Sequence, residues 1–466
     1  MKILVIGQCT LHWGRMEFGN IGNYYIIEPF FRELHRAFPG CSIATTFQLS
    51  EGFRERERVS VLPMELYYGW TGHDLADAQA ELSIAEEFAR SGTLRSTTPY
   101  IDAVRGSDLI IDFSGDIWGD NADLLGADRF HVGLCKDRTA QLLGKRTAMI
   151  AGSPGPFSEG KNLDLARQVF AAFDLVTDRE PVSRGVLEHM GFDLSRLQDL
   201  ACPAFLFEPA QGPAVDALIE QEGLNSDRPI VGFILCGWNF QQGPFDKWPR
   251  NDSDYTVFAE VIEHIGSKLG ARVCLMSHSN GFPIPPRPFE LQHGRDYPVI
   301  KQLASVIAAR GKAKGVFTLD GVYDAWTTKA LIGRFDMLVS GRIHAAVAGL
   351  SQHVPTVIID YGHEPKAHKL LGFATVASVS DLSGGSGGAG GHHREGGPVL
   401  ATPGCHATAP RGAHAAGAGP GPCELQGPAR DHTRLNSHAS GDHAALFPAV
   451  HRLFPADERG GPLRHL

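Results

Sequence analysis

The sequence predicts an α/β protein of two doubly wound, Rossmann-like parallel sheets, and three observations predict it. Short continuous apolar runs, such as residues 3–6 and 109–111, alternate with longer amphipathic stretches. A strand that is apolar on both faces needs helices on both, which is the condition of a parallel sheet. The alternation halts at a Pro- and Gly-rich loop, residues 203–213, and restarts at residue 230. Finally, 466 residues are more than one core of common size holds.

Taken in order, residues 3–6 form the first strand, which ends in a Gly turn, and residues 23–38 carry apolar side chains at helical spacing. Residues 42–45 are a second strand and 74–89 a polar surface helix. The Gly-Ser-Asp turn at 106–108 introduces a buried strand at 109–113; strands at 147–151 and 175–177 follow, separated by a helix at 163–172. In the second half the strands are 230–235, 273–276, 316–319, 337–339 and 356–359. Helices at 255–269, 299–309, 326–333 and 343–351 lie between them. The domains expected are 1–210 and 211–382. They face each other, with ligands at the strand C-terminal ends between them.

Residues 383–466 are a different material. They contain no Lys, Ile, Tyr or Trp, and Gly, Ala, Pro and His dominate. No helical or strand period survives, so this tail cannot bury a core and is expected to be disordered. The change falls within a residue or two of Leu382, the pattern of a frameshifted translation of GC-rich coding DNA. Nine of the 21 histidines lie there without regular ligand spacing, which argues against a metal-binding tail.

Charge and composition exclude several classes. A net charge of -9 argues against a nucleic-acid binder, which would need a basic face. No run approaches the roughly 18 apolar residues of a membrane span. The opening Met-Lys-Ile-Leu-Val-Ile-Gly is too short an apolar run for a signal peptide, so a cytoplasmic protein is expected. The eight cysteines show no CxxC spacing, hence no zinc site or disulfide framework, and read as buried small hydrophobes.

The chemistry concentrates in Ser340-Gly341-Arg342-Ile343-His344, followed by Val354-Pro355, Asp360, His363 and Lys366. A strand ends at Ser340-Gly341 and hands over to a helix whose first turn holds Arg342 and His344. Orphan amides, a positive helix end, a guanidinium and an imidazole meet there, a combination suited to a small anion with phosphate and carboxylate groups.

This stretch resembles the C-terminal signature of the polysaccharide pyruvyl transferase family. The resemblance covers roughly residues 1–380 and continues in four other segments. Phe18-Gly19-Asn20-Ile21-Gly22-Asn23-Tyr24 occupies the family's first glycine loop, and Asp112-Phe113-Ser114-Gly115-Asp116 its strand ending in a Gly-rich turn, where Asp116 interrupts the usual glycines. Gly152 to Phe157 resembles the Gly-Pro-Phe loop, and Arg179-Glu180-Pro-Val-Ser183 the Arg-Glu-x-x-Ser element. Where the family commonly has Asp-Pro, this chain has Cys202-Pro203.

The resemblance implies a glycosyltransferase-B-like architecture, with residues 1–210 on the acceptor side and 211–382 on the donor side. It also implies transfer of a pyruvyl group from phosphoenolpyruvate, as co-substrate, to two hydroxyls of a sugar or lipid-linked saccharide, forming a ketal. Arg342, Arg179, Lys366 and the amides at Gly341 and Ile343 are the candidates for holding the donor. His344 is the candidate general acid at the methylene carbon. Asp116, or Asp112, is the candidate base on the acceptor side. Asn20 and His278 are expected in the cleft, and Gly22 can approach the acceptor or simply shape its loop. The scheme calls for no metal and no further cofactor, and the oligomeric state is open.

Each residue has a structural alternative. His344 can pack or cap its helix, Arg179 can pair with Glu180 or Asp178, Asp116 can cap the turn before Trp118, His278 can close a turn, and Lys366 can be a solvated lysine. Two other functions fit the same architecture: a nucleotide-sugar glycosyltransferase, for which Glu364 would be the ribose- or base-binding acid, and a non-catalytic sugar-binding relative.

Overall fold

The computed structural model of the chain describes residues 1–8, 21–160, 162–236, 250–280 and 296–359, the Asp116 side chain excepted. The first unit runs β1 (Lys2–Ile6), α1 (Ile21–Ala37), β2 (Ser42–Thr45), α2 (Glu51–Glu57), β3 (Val59–Val61), α3 (Asp74–Ser91), α4 (Pro99–Arg105), β4 (Leu109–Asp112), α5 (Arg129–Leu142), β5 (Arg146–Gly152), α6 (Leu163–Ala172), β6 (Leu175–Asp178), α7 (Pro181–His189) and β7 (Leu197–Asp199). A 3-10 segment, Pro203–Leu206, and α8 (Pro213–Gln221) lead to the second. That unit runs β8 (Ile230–Ile234), α9 (Thr256–Lys268), β9 (Arg272–Leu275), α10 (Tyr297–Ala309), β10 (Val316–Thr318), α11 (Ala325–Ile332), β11 (Met337–Ser340), α12 (Ile343–Leu350) and β12 (Thr356–Ile358).

The first sheet has the order β3-β2-β1-β4-β5-β6-β7 and the second β10-β9-β8-β11-β12. Every pairing is parallel. Both sheets wind outward from their first strand, return, and wind the other way, the doubly wound pattern in tandem that defines a glycosyltransferase-B-like chain. The reversals fall between β1 and β4 and between β8 and β11, and a crevice opens beyond the strand ends at each. Ser340 pairs with Ile234 on one side and Ile358 on the other, so Gly341 and Arg342 emerge at the second reversal.

α1 joins the two units. From Ile21 to Leu34 nearly every side chain is buried, because one face covers the first sheet and the other meets the second unit. Tyr24 sets its ring edge on Trp326 of α11 at 4.8 Å, and Tyr25 stacks on Phe207 at 4.7 Å. Arg32 donates to the Leu206 carbonyl (2.8 Å) and the buried Lys329 ammonium donates to that of Phe207. Burial holds the Lys329 pKa down, to about 8. One apolar cluster therefore runs from Ile3 through α1 to Ile359.

The elements absent from the sequence reading lack its signal. α5 buries Arg129, Lys136 and Asp137, so its inward face is not apolar and no hydrophobic period marks it. Lys136 there meets Glu81 of α3 at 2.6 Å with both side chains buried. β3 and β7 are edge strands of three residues each. α2 and α4 are short and begin at side-chain caps, Ser50 and Thr98. Among the described residues no helix is long and apolar enough to cross a membrane. Residues 383–466 lie outside the described residues.

Candidate active site

The second reversal point is built by a short turn. Gly341 N–H donates to the Ile234 carbonyl (2.8 Å), which carries the chain off β11 in register with β8. Ser340 Oγ accepts from Arg342 N–H (3.1 Å) and donates to the Arg342 carbonyl (2.9 Å). Arg342 thereby becomes the extended N-cap residue of α12 and not a member of its first turn. This corrects the expected cradle at one point: the amides of Gly341 and Arg342 are committed inside the turn. The intrahelical ladder begins at Ala346 N–H, bonded to the Arg342 carbonyl (3.0 Å), so Ile343 is the first residue whose amide belongs to the helix opening.

The Arg342 guanidinium is held by Asp296. Nε donates to Oδ2 at 3.1 Å and Nη2 to Oδ1, a bidentate pair in which the Asp296 side chain is fully buried. The same Oδ2 accepts from His278 N–H (3.1 Å). The His278 ring is buried edge-on to Tyr25 of α1, 5.4 Å away. Burial, with the Arg342 charge, pushes its pKa down to about 3, so the imidazole is neutral at any working pH. Neither His278 Nε2 nor Ser279 Oγ has a hydrogen-bond partner among the described residues.

His344, one residue into α12 and half-buried, touches the first turn of α1. A methyl group at Gly22 would stand 2.4 Å from its Nδ1, closer than any real contact. Gly22 and Tyr25 lie three apart on one helical face, so one turn of the first unit lies against His344 and His278 together. Arg342, His344, His278 and Gly22 are thus brought to one place.

Arg179 leaves the end of β6 in the other sheet, buried, its Nε on Ser153 Oγ at 2.9 Å and its Nη1 without a partner among the described residues. Glu180 is not its partner; that carboxylate caps α7 through Val182 N–H (2.8 Å) and Ser183 N–H (3.1 Å). Ser153 N–H is tied to the Gly115 carbonyl (2.9 Å), so the Arg179 support and the Gly115–Ile117 turn move as one piece. Asp116 lies in that turn. Asp112, at the end of β4, is buried, and Oδ1 accepts from Ser114 N–H (2.8 Å). Burial pushes its pKa up, to about 6, and that of its neighbour Asp137 well above the carboxylate range, so the two carboxyls share a proton over the acid-to-neutral range. Asn20, Lys366 and Glu364 lie outside the described residues.

Beside Arg179, burial and the nearby Asp199 carboxylate push the Asp178 pKa up to about 9. Arg184 holds Asp199 at 2.9 and 3.0 Å, leaving the protonated Asp178 as the donor of the pair. The folded chain therefore keeps a proton that the unfolded chain releases near 3.8, and stability falls as pH rises between those values. Asp178→Asn is expected to flatten that slope and raise the melting temperature at pH 8; an unchanged pH profile of melting would contradict the assignment.

Sequence reasoning missed Asp296, Ser153 and Tyr25. Asp296 stands before Tyr297-Pro298 at a helix start and reads only as a cap, and nothing local ties it to a residue 46 positions later. Among the described residues no group of three or more His, Cys, Asp or Glu could hold a metal ion.

The family described as "Polysaccharide pyruvyl transferase" matches residues 20–363. The Amylovoran biosynthesis protein AmsJ of Erwinia amylovora is 24% identical over 396 residues, covering 81% of this chain and 88% of that protein. Similar solved structures include a glycosyltransferase from Rickettsia africae (TM-score 0.45, 10% identity, 77% of this chain and 78% of that one). Another is the UDP-GlcNAc 2-epimerase of Methanocaldococcus jannaschii (TM-score 0.46, 12% identity, 80% and 87%). A third is Anabaena Alr3699/HepE in complex with UDP and glucose (TM-score 0.42, 14% identity, 77% and 80%). At those scores and identities they carry no statement about chemistry. The family match spans most of the chain, and the chain belongs to the polysaccharide pyruvyl transferase family and is a transferase.

Proposed function

We propose that the chain transfers the pyruvyl group of phosphoenolpyruvate to two hydroxyls of one sugar in a cell-surface polysaccharide or its precursor, lipid-linked precursors included, closing a cyclic ketal. One observation carries this reading. An oriented guanidinium, Arg342, and an imidazole, His344, meet at a switch point where α1 of the other unit lies against the imidazole. Arg342 takes the donor phosphate or carboxylate, with Arg179, Lys366 and the helix opening at Ile343 as further anion ligands. His344 gives a proton to the methylene carbon, and C2 becomes an oxocarbenium-like electrophile. One sugar hydroxyl adds to C2, the C2–O bond to phosphorus-bearing oxygen breaks, and the second hydroxyl closes the ring. Of the two hydroxyl protons, one restores His344 and the other leaves with inorganic phosphate. Asp116, with Asp112 as the alternative, is the base that relays them, and the neutral His278 lines the cleft. Electrostatic holding of the departing phosphate contributes most to rate.

Protein given phosphoenolpyruvate and a saccharide fraction from polysaccharide-producing cells should release inorganic phosphate only when both are present. Release of UDP from a UDP-sugar, with phosphoenolpyruvate ignored, would replace this reading by glycosyl transfer.

A further inference from the structure

We propose that Asp296 is the positioning residue for Arg342, locking the Nε–Nη2 edge of the guanidinium and so fixing the orientation in which the cation meets the donor anion. The inference rests on the reading of Arg342 as a donor ligand. Asp296 stands at the N-cap of α10, where an aspartate ordinarily turns its carboxylate back onto the helix amides. Here it makes no such bond. Asp324, in the same place before α11, accepts from Thr327 N–H at 2.7 Å, and Ser50, Thr98 and Glu180 cap their helices likewise. Asp296 gives up the cap and turns to Arg342 instead.

The pair is a costly way to fill that space. A fully buried carboxylate loses its hydration, and a well-packed apolar pair stabilises a fold at least as well. What an ion pair adds is orientation. Nε and Nη2 lie on the two carboxylate oxygens, and the planar guanidinium then directs its Nη1 edge away from Asp296. Asp296 is fixed in turn from the other side: its own N–H donates to the Ser279 carbonyl (3.0 Å), and Oδ2 also receives His278 N–H (3.1 Å). One carboxylate therefore sets both Arg342 and the His278–Ser279 turn, and the donor meets a cation that has already lost its rotamer freedom.

The test compares wild type, Asp296→Asn and Asp296→Glu in the full chain. It uses the calorimetric Kd for phosphoenolpyruvate, the KM of the acceptor, and the ¹⁵N–¹H resonance of Arg342 Nε, assigned by its loss in Arg342→Lys. Asp296→Asn is expected to raise the donor Kd at least tenfold and move the Nε–H resonance, with the acceptor KM unchanged. Asp296→Glu, which keeps the charge, should recover part of the affinity. A resonance that stays in place and a donor Kd within twofold of wild type would overturn the proposal, as would equal weakening for donor and acceptor, the mark of a merely structural residue. Should the asparagine variant not fold, the glutamate variant decides on the same two readouts. If wild type binds no phosphoenolpyruvate while the resonance still moves, the positioning role stands and pyruvyl transfer falls.

Discussion

His344→Asn is expected to lower kcat by about 10²–10⁴-fold, the range of a lost general acid, while phosphoenolpyruvate still binds within a few-fold of wild type. The split follows from the geometry. Donor affinity is assigned to Arg342, whose orientation is set by Asp296 and by the Ser340 turn, and neither contact involves the imidazole. Asparagine keeps a polar group where Nδ1 stands but cannot deliver a proton at neutral pH. Single-turnover rates with saturating donor read the chemical step. A kcat within tenfold of wild type would remove His344 from proton transfer and leave it as a packing residue.

Gly22→Ala should cost nearly as much from the other domain. Its methyl group would lie 2.4 Å from His344 Nδ1, so one side must move. The helix cannot, since Tyr24 and Tyr25 pin its first turn against Trp326 and Phe207. The imidazole gives way, and a displacement of about 1 Å costs on the order of 10²-fold in kcat. Stability should change little, because overpacking of about 1–3 kcal/mol is partly offset by the gain of about 1 kcal/mol for Ala over Gly in a helix. The double variant Gly22→Ala, His344→Ala discriminates. With the ring gone the methyl has room, so in that background Gly22→Ala should shed the overpacking and stabilise by about 1 kcal/mol. Additive stability losses, or a kcat unaffected by Gly22→Ala, would contradict the contact.

Much of this was legible in the sequence, for identifiable reasons. Buried parallel strands such as residues 3–6 and 230–234 are continuous apolar runs, and their spacing by helices yields two doubly wound sheets without further information. Arg342 and His344 stand out because a strand ends immediately before them. α5 was invisible because its buried face carries Lys136 and Asp137, whose burial depends on partners in α3 and β4 that no local window contains. Asp296 was invisible for the same reason at shorter range: its local context says cap, and only the folded chain brings Arg342 to it. Gly22 could be noticed as a loop glycine, but that its missing side chain leaves room for the His344 imidazole is a tertiary fact.

The proposed function depends on Arg342 and His344 forming a site for phosphoenolpyruvate. Thermal melting of the full chain with and without that ligand, for wild type and Arg342→Ala, tests it most directly. A ligand at a hundred times its Kd stabilises by about 2.7 kcal/mol, and with per-residue unfolding entropies of the usual size that is a shift of about 3 °C for a chain of this length. That shift is expected in wild type, with none in Arg342→Ala and none with UDP. A folded wild-type protein that ignores phosphoenolpyruvate and is stabilised by UDP would contradict it.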